Sequence, residues 1–117
     1  MLTGLYQIGY VTRDLDRAMA AYTLLSGVRF TAMDIELAAQ TPHGDKTIGV
    51  RVATGWAGLT QIELIQPVRG YIDPYLNVLP ADDGDASPRL HHLAVRREDI
   101  NQARADVAAS GLPLVFE

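Results

Sequence analysis

An internal repeat constrains the fold of this 117-residue chain more than any other feature of its sequence. The segment Leu5–Tyr10 aligns with the segment Leu90–Val95 without a gap, at an offset of 90 − 5 = 85 residues. The alignment continues at the same offset, so that Asp14 meets Asp99. Similarity at a fixed offset indicates repeated substructures. The sequence therefore predicts two copies of a unit in which a strand is followed by a helix.

The first copy opens a predicted β-α-β-β-β module. Its first strand, over residues 5–12, alternates between two faces, with Ile8 on one side and Gln7 on the other. Asp14 is a candidate N-cap for a helix that ends near Gly27. Three further strands are predicted over residues 29–37, 47–52 and 59–66, with turns at Pro42–Asp45 and Gly55–Gly58.

The second copy follows a linker over residues 67–89, which is rich in proline and aspartate. Within the linker, residues 73–79 predict a short helix, because Pro74 lies where a missing N–H is tolerated. The second strand begins at Leu90. A helix from about Asp99 to Gly111 and a final strand over 112–116 complete the prediction.

Composition predicts a single globular domain and excludes several kinds of partner. The chain has 48% hydrophobic and 21% charged residues, which is enough apolar material for a core. Its net charge is −4 and it has no basic run, so nucleic acid and anionic membranes are not expected partners. The absence of cysteine excludes disulfides and thiolate ligands. No export signal or long apolar segment is evident, and we expect a cytoplasmic protein that binds a small molecule.

The alternation of the strands gathers polar side chains on one face of the predicted sheet. If helices cover the face that carries Ile8, Val50, Leu64 and Leu93, the open face carries Gln7, Arg51, Gln61, Glu63 and His92. Imidazole, carboxylate and amide groups are suitable ligands for a divalent metal ion such as Zn²⁺, Ni²⁺, Co²⁺ or Mn²⁺. Gln7, Glu63 and His92 are thus candidate metal ligands, and Arg51 and Gln61 are candidate substrate-binding residues.

Each of these residues has a structural alternative when it is taken alone. Glu63 is readily explained as a solvated strand residue, and Arg51 as a surface partner of an acidic side chain. His91 is expected to face the helix-covered side, although it remains an alternative ligand to its neighbour His92. The metal hypothesis is favoured because Gln7 and His92 are equivalent in the repeat, and two related strands paired about a local twofold bring such positions together.

Three motifs resemble the vicinal oxygen chelate superfamily, in particular the branch that contains glyoxalase I and methylmalonyl-CoA epimerase. They are the segments 7–18, 61–67 and 90–95, which occur in the same order as in that family. The resemblance implies an α+β fold of paired βαβββ modules in one glyoxalase-like domain. Module one would span residues 1–67, the linker 68–89, and a second module, truncated after β-α-β, residues 90–117.

The resemblance also implies a function and assigns roles to residues. It places metal ligands at Gln7, Glu63 and His92, and it gives Glu63 a catalytic role. Histidine is common at the first of these positions, but some glyoxalases have glutamine there. The implied activity is that of a metal-dependent isomerase or lyase, which moves a proton next to a carbonyl while the metal stabilises an enolate or enediolate.

The family pattern has a fourth ligand, a glutamate that this sequence does not contain. The repeat places it near 63 + 85 = 148, beyond Glu117, which lies at a different motif position. Three explanations are open: a truncated chain, a second subunit that supplies the missing strands, or a protein without glyoxalase-type catalysis. Truncation is the preferred explanation, and a homodimer is also expected.

The superfamily offers two other functions as alternatives. A metal-free protein that binds a ligand, as antibiotic-resistance members do, is the main alternative. Extradiol dioxygenase chemistry is disfavoured, because the resemblance implies two histidines and a glutamate for that reaction and Gln7 replaces one histidine.

Overall fold

The computed structural model describes residues 4–117, which form one mixed sheet with three helices. Its elements are β1 (Leu5–Val11), α1 (Leu15–Ser26), β2 (Thr31–Thr41), β3 (Gly44–Ala57), β4 (Thr60–Gly70), α2 (Asp73–Leu76), β5 (Arg89–Val95) and α3 (Ile100–Ser110). This arrangement confirms the predicted α+β class and the complete β-α-β-β-β module. No helix within residues 4–117 is long and apolar enough to cross a membrane.

The strand order β2-β3-β4-β1-β5 brings the two repeated strands, β1 and β5, side by side. They are antiparallel, with Gln7 opposite Ala94 and Gly9 opposite His92. These two pairs are related by the repeat, so β1 and β5 are paired about the expected local twofold. β1 and β4 are parallel.

Both long helices begin and end with the capping residues that the repeat predicts. The Asp14 carboxylate accepts a hydrogen bond from the Arg17 N–H at the start of α1, and Asp99 accepts two from backbone N–H groups at the start of α3. Gly27 and Gly111 end the helices with φ of 77° and 74°, a conformation that glycine adopts without a Cβ clash. The repeat is therefore preserved in three dimensions.

The core is divided between the two faces of the sheet. On the face covered by α1, the buried residues are Leu15, Ala18, Ala53, Ile62 and Leu64. On the opposite face they are Val11, Ala39, Ile48, Val50, Val52, Ile65 and Tyr75. Full burial of a valine, leucine or isoleucine side chain contributes about 1.5–3 kcal/mol. Both faces of the sheet are therefore held by packing, and the second face also forms the candidate site.

The predicted hairpins are present, but their strands are longer and their turns tighter than expected. β2 continues to Thr41 and β3 begins at Gly44, so Pro42 and His43 alone connect them. β3 extends through Trp56 to Ala57, which places the next turn at Gly58 and Leu59. The short linker helix ends at Leu76, earlier than predicted.

The predicted last strand, over residues 112–116, has no regular secondary structure. Pro113 lies within it and supplies no backbone N–H for pairing. The segment instead crosses to β2, where the Glu117 N–H and C=O form hydrogen bonds of 2.9 and 2.8 Å with Gln40. The Glu117 carboxylate contacts the Arg104 guanidinium, so it lies apart from the candidate site.

Candidate functional site

Three neighbouring strands carry the predicted metal ligands on the face opposite α1. Gln7 lies in β1, Glu63 in β4 and His92 in β5. The pairing places Gly9 directly between Glu63 and His92, since it is opposite both residues in the register of the sheet. A Cβ at Gly9 would lie only 2.1 Å from Cε1 of the His92 ring. The imidazole of His92 thus occupies the space that the missing side chain leaves.

The three polar groups converge on one nitrogen atom. Nε2 of His92 lies 3.2 Å from Oε1 of Gln7 and 3.3 Å from Oε1 of Glu63. Gln7 is 8% exposed, and the side chains of Glu63 and His92 are 18% and 31% exposed. The site is therefore largely shielded and still reachable from solvent. Within residues 4–117 no three His, Cys, Asp or Glu side chains form a metal-binding group, so a three-ligand site here depends on the Gln7 amide.

Gln61 lies beside Gln7 on the same face, as the alternation of β4 predicted. Its Oε1 accepts a hydrogen bond of 2.8 Å from Nε2 of Gln7. This bond orients the Gln7 amide so that its oxygen points at His92. In this structure Gln61 therefore supports a candidate ligand, while its predicted contact with substrate remains a prediction.

His91 faces the same side of the sheet as His92, and the expectation that it faces the helix-covered side is wrong. The register of β1 and β5 passes from the Gly9–His92 pair to the Tyr10–Leu90 pair, which leaves His91 as the extra residue of a β-bulge. A bulge interrupts the alternation of side chains, so two successive residues can share a face. Nδ1 of His91 lies 3.0 Å from Nδ1 of His92.

The linker helix α2 anchors His91 from the other side. Nε2 of His91 lies 2.8 Å from the carbonyl oxygen of Pro74, and its ring is stacked on Tyr75 with centroids 4.9 Å apart. Tyr75 is only 5% exposed. Burial raises the pKa of its hydroxyl above 10, and the negative charge of Glu63 raises the pKa further. A neutral tyrosine therefore borders the site at neutral pH.

A cavity of about 670 Å³ opens beside these residues. Its polar lining includes Glu63, Asn77, His91 and His92. Its apolar lining includes Ile35, Leu37, Val50, Val52, Ile65, Val78, Val115 and Phe116. The expectation that a helix covers Val50 is wrong, because Val50 lies on the cavity face of β3. Period-2 alternation identifies which residues share a face, but it does not show which face a helix covers.

Arg51 illustrates the same error, because it lies on the α1 side and not beside Glu63. Its guanidinium is 3.3 Å from Asp16 of α1 and 3.5 Å from Asp34 of β2. The expectation that Arg51 shares the open face is therefore contradicted. The alternative considered from the sequence, a surface partner of acidic side chains, describes its contacts.

Sequence reasoning missed three contributors to the site: Gly9, Tyr75 and the shared face of His91. Alternation along β1 puts Gly9 on the same face as Gln7, but only the register shows which ring occupies its space. Tyr75 and the Pro74 carbonyl reach the site through the linker, whose path alternation does not predict. Two consecutive histidines in a strand were the one available signal for the bulge.

The architecture and the polar cluster together define a class of protein. It is an α+β fold in which repeated strand-helix units pair their first strands and place an amide, a carboxylate and an imidazole beside a cavity. A profile of the Glyoxalase/Bleomycin resistance protein/Dioxygenase superfamily matches residues 6–117. The chain belongs to this superfamily, as the resemblance of its motifs had implied.

Among solved structures, the chain is similar to methylmalonyl-CoA epimerase from Mycobacterium tuberculosis. The two share 23% sequence identity and a TM-score of 0.61 over 100% of this chain and 73% of that chain. At this identity the likeness shows a common fold. No curated protein sequence matches the chain significantly.

Proposed function

We propose that this protein is a metal-dependent isomerase or lyase that moves a proton next to a carbonyl group. The observation that carries the proposal is the convergence of Gln7 Oε1 and Glu63 Oε1 on Nε2 of His92, at 3.2 and 3.3 Å. Two oxygen donors and one nitrogen donor match the ligand preferences of Zn²⁺, Ni²⁺, Co²⁺ and Mn²⁺. When bound, such an ion supplies Lewis-acid polarisation of a carbonyl oxygen.

Glu63 is the proposed proton acceptor as well as a ligand. It is the one acidic side chain among the cavity-lining residues of the described chain, 4–117. Its side chain is 18% exposed, so it is shielded from bulk water but accessible from the cavity. A carboxylate within reach of the substrate can remove a proton next to a carbonyl.

The lining of the cavity favours a substrate with an apolar portion. Aliphatic and aromatic residues form most of the wall, and no Lys or Arg is among the lining residues within the described range, 4–117. Away from the proposed metal ion, an anionic group would therefore have no cationic side chain to pair with, and burying it there would be unfavourable. A thioester or a thiol adduct therefore fits this wall better than a small acid does.

Metal binding is the first test. We expect calorimetric titration with Zn²⁺, Ni²⁺, Co²⁺ or Mn²⁺ to show one site in the native protein, and E63Q to weaken it. Loss of groups outside the ligand shell already lowers affinity by about 10- to 100-fold, so loss of a charged ligand should lower it by about 100-fold or more. E36Q is the matched control, because Glu36 is an exposed β2 residue bonded to Arg69. Binding of none of the four ions, or equal binding by E63Q, contradicts the proposal.

Proton transfer is tested with acyl thioesters in D₂O, at metal concentrations that saturate both the native protein and E63Q. NMR would follow the replacement of hydrogen next to the carbonyl in the metal-loaded protein. We expect E63Q to slow this exchange by about 100-fold or more, because a positioned base contributes about 10²- to 10⁴-fold. E36Q should exchange at the rate of the native protein.

The apolar wall of the cavity also supports a second candidate, a metal-free protein that sequesters an apolar ligand. This function needs the cavity but not the ligand set. H92A would then retain ligand affinity, whereas the metal-dependent function predicts that H92A loses both metal binding and proton exchange.

A further inference from the structure

The contacts of His91 fix where the protons lie in a chain of groups that ends at the candidate metal site. We propose that His91 is a positioning residue, which holds the proton of His92 on Nδ1 and leaves Nε2 free to face Gln7 and Glu63. The consequence for metal affinity rests on the proposed function. The proton arrangement itself does not.

The first link is the contact between His91 and α2. The carbonyl oxygen of Pro74 can only accept a hydrogen bond, and it lies 2.8 Å from Nε2 of His91. Nε2 must therefore carry the hydrogen of the His91 ring. A neutral imidazole has one N–H, so Nδ1 of His91 is left as an acceptor.

The second link passes this constraint to the neighbouring ring. Nδ1 of His92 lies 3.0 Å from Nδ1 of His91, and one of the two nitrogens must donate. Because Nδ1 of His91 is the acceptor, Nδ1 of His92 carries the hydrogen. In the neutral ring, Nε2 of His92 then has a free lone pair, which is the form in which imidazole binds a metal.

The third link is the environment of that lone pair. Nε2 of His92 faces the oxygens of Gln7 and Glu63, and the Gln7 amide N–H₂ is directed to Gln61. Three electron-pair donors thus point at one another without a hydrogen between them. A cation among them would satisfy all three, so the proton arrangement prepares the cluster for a metal ion.

Two features hold His91 in the position that this role requires. The bulge in β5 turns its side chain to the face of His92, and Tyr75 stacks on its ring at an interplanar angle of 25°. Both Pro74 and Tyr75 belong to α2, so the linker helix acts on the site through His91. A partner that fixes the tautomer of a metal-binding histidine is a recurrent feature of metal sites, usually as a carboxylate or carbonyl.

Nitrogen-15 NMR of the metal-free protein, labelled at its three histidines, tests the proposal directly. At about pH 8, above the ordinary range of imidazole ionisation, the ring spectra show which nitrogen of each histidine carries hydrogen. We expect His91 to carry it on Nε2 and His92 on Nδ1. If His92 carries its hydrogen on Nε2 in the native protein, the proposal is overturned, whatever the behaviour of any variant.

The variant H91F keeps an aromatic ring for Tyr75 to stack on but removes both hydrogen bonds. We expect His92 to lose its preference for Nδ1–H and metal affinity to fall by about 10- to 100-fold. H43F is the matched control, since His43 lies in the β2–β3 turn and contacts Tyr71 there. The spectrum of H43F also assigns the His43 signals. If H91F leaves the hydrogen of His92 on Nδ1, the proposal is overturned. If the native protein shows the expected tautomers but binds no metal, the proposed function fails and this inference stands.

Discussion

Gly9 controls the site by having no side chain. Its neighbours in the sheet are Glu63 and His92, and the His92 ring lies where a Cβ would be. The atoms that a Cβ would meet belong to a side chain that can rotate, so the strand backbone need not move. A substitution here should therefore displace the ligand without unfolding the sheet.

We expect G9A to lower metal affinity by about 10-fold or more, since the displaced imidazole loses its alignment with Gln7 and Glu63. Its melting temperature should fall by less than about 4 °C, which corresponds to about 1 kcal/mol for a domain of this size. Calorimetric metal titration and thermal unfolding would measure the two effects. G84A is the control, because a Cβ there meets only one side-chain oxygen at 3.4 Å. Unchanged metal affinity in G9A would show that His92 is not positioned as described.

The positions of Gln7, Glu63 and His92 could be predicted because they depend on alternation and on the repeat, which are both properties of the sequence. The faces of Arg51 and His91 could not. For Arg51, alternation gives two equivalent assignments, and only the packing of α1 on β3 selects one. For His91, the bulge in β5 turns the side chain to the face opposite to the one that alternation predicts. The bulge depends on how β1 and β5 pair.

At the scale of elements, the two repeated helices have equivalent caps and different packing. Asp14 begins α1, which buries Leu15 and Ala18 against the sheet. Asp99 begins α3, which has no buried residue although it lies wholly within residues 4–117. The caps were evident in the sequence, but the difference in burial was not, because the apolar residues of the two helices are spaced alike. An aspartate N-cap therefore stabilises both helices, although the two helices contribute unequally to the core.

We expect D14A to lower the free energy of unfolding by about 1 kcal/mol, the usual effect of losing an N-cap. D99A should lower it by less than about 0.5 kcal/mol, because a helix without buried residues can open locally before the core unfolds. Urea unfolding followed by Trp56 fluorescence would measure both. Hydrogen exchange should show that D99A instead accelerates exchange of the α3 amides. Equal losses of global stability in the two variants would mean that α3 unfolds together with the core.

At the scale of the whole molecule, the chain is more extended than a typical domain of its length. Its radius of gyration is 15.1 Å, compared with about 13.4 Å from the usual size relation. The structure also leaves large apolar side chains exposed on β5, on α3 and on the segment that follows α3. They are Leu90, Leu93 and Val95 in β5, Ile100 and Val107 in α3, and Leu112 and Leu114 after it.

We propose that a second copy of the chain covers this surface, which would form the homodimer expected from the sequence. Exposed apolar groups of this extent favour association, and β5 is an edge strand among residues 4–117, with unpaired backbone groups. Light scattering after size exclusion should give twice the mass of the chain. I100E should shift the protein toward the mass of one chain, because it places a charge on the surface of α3. L59E, in the β3–β4 turn, should remain dimeric although Leu59 is 95% exposed. A native protein with the mass of one chain would exclude the dimer, and loss of the dimer in L59E would place the interface at the β3–β4 turn.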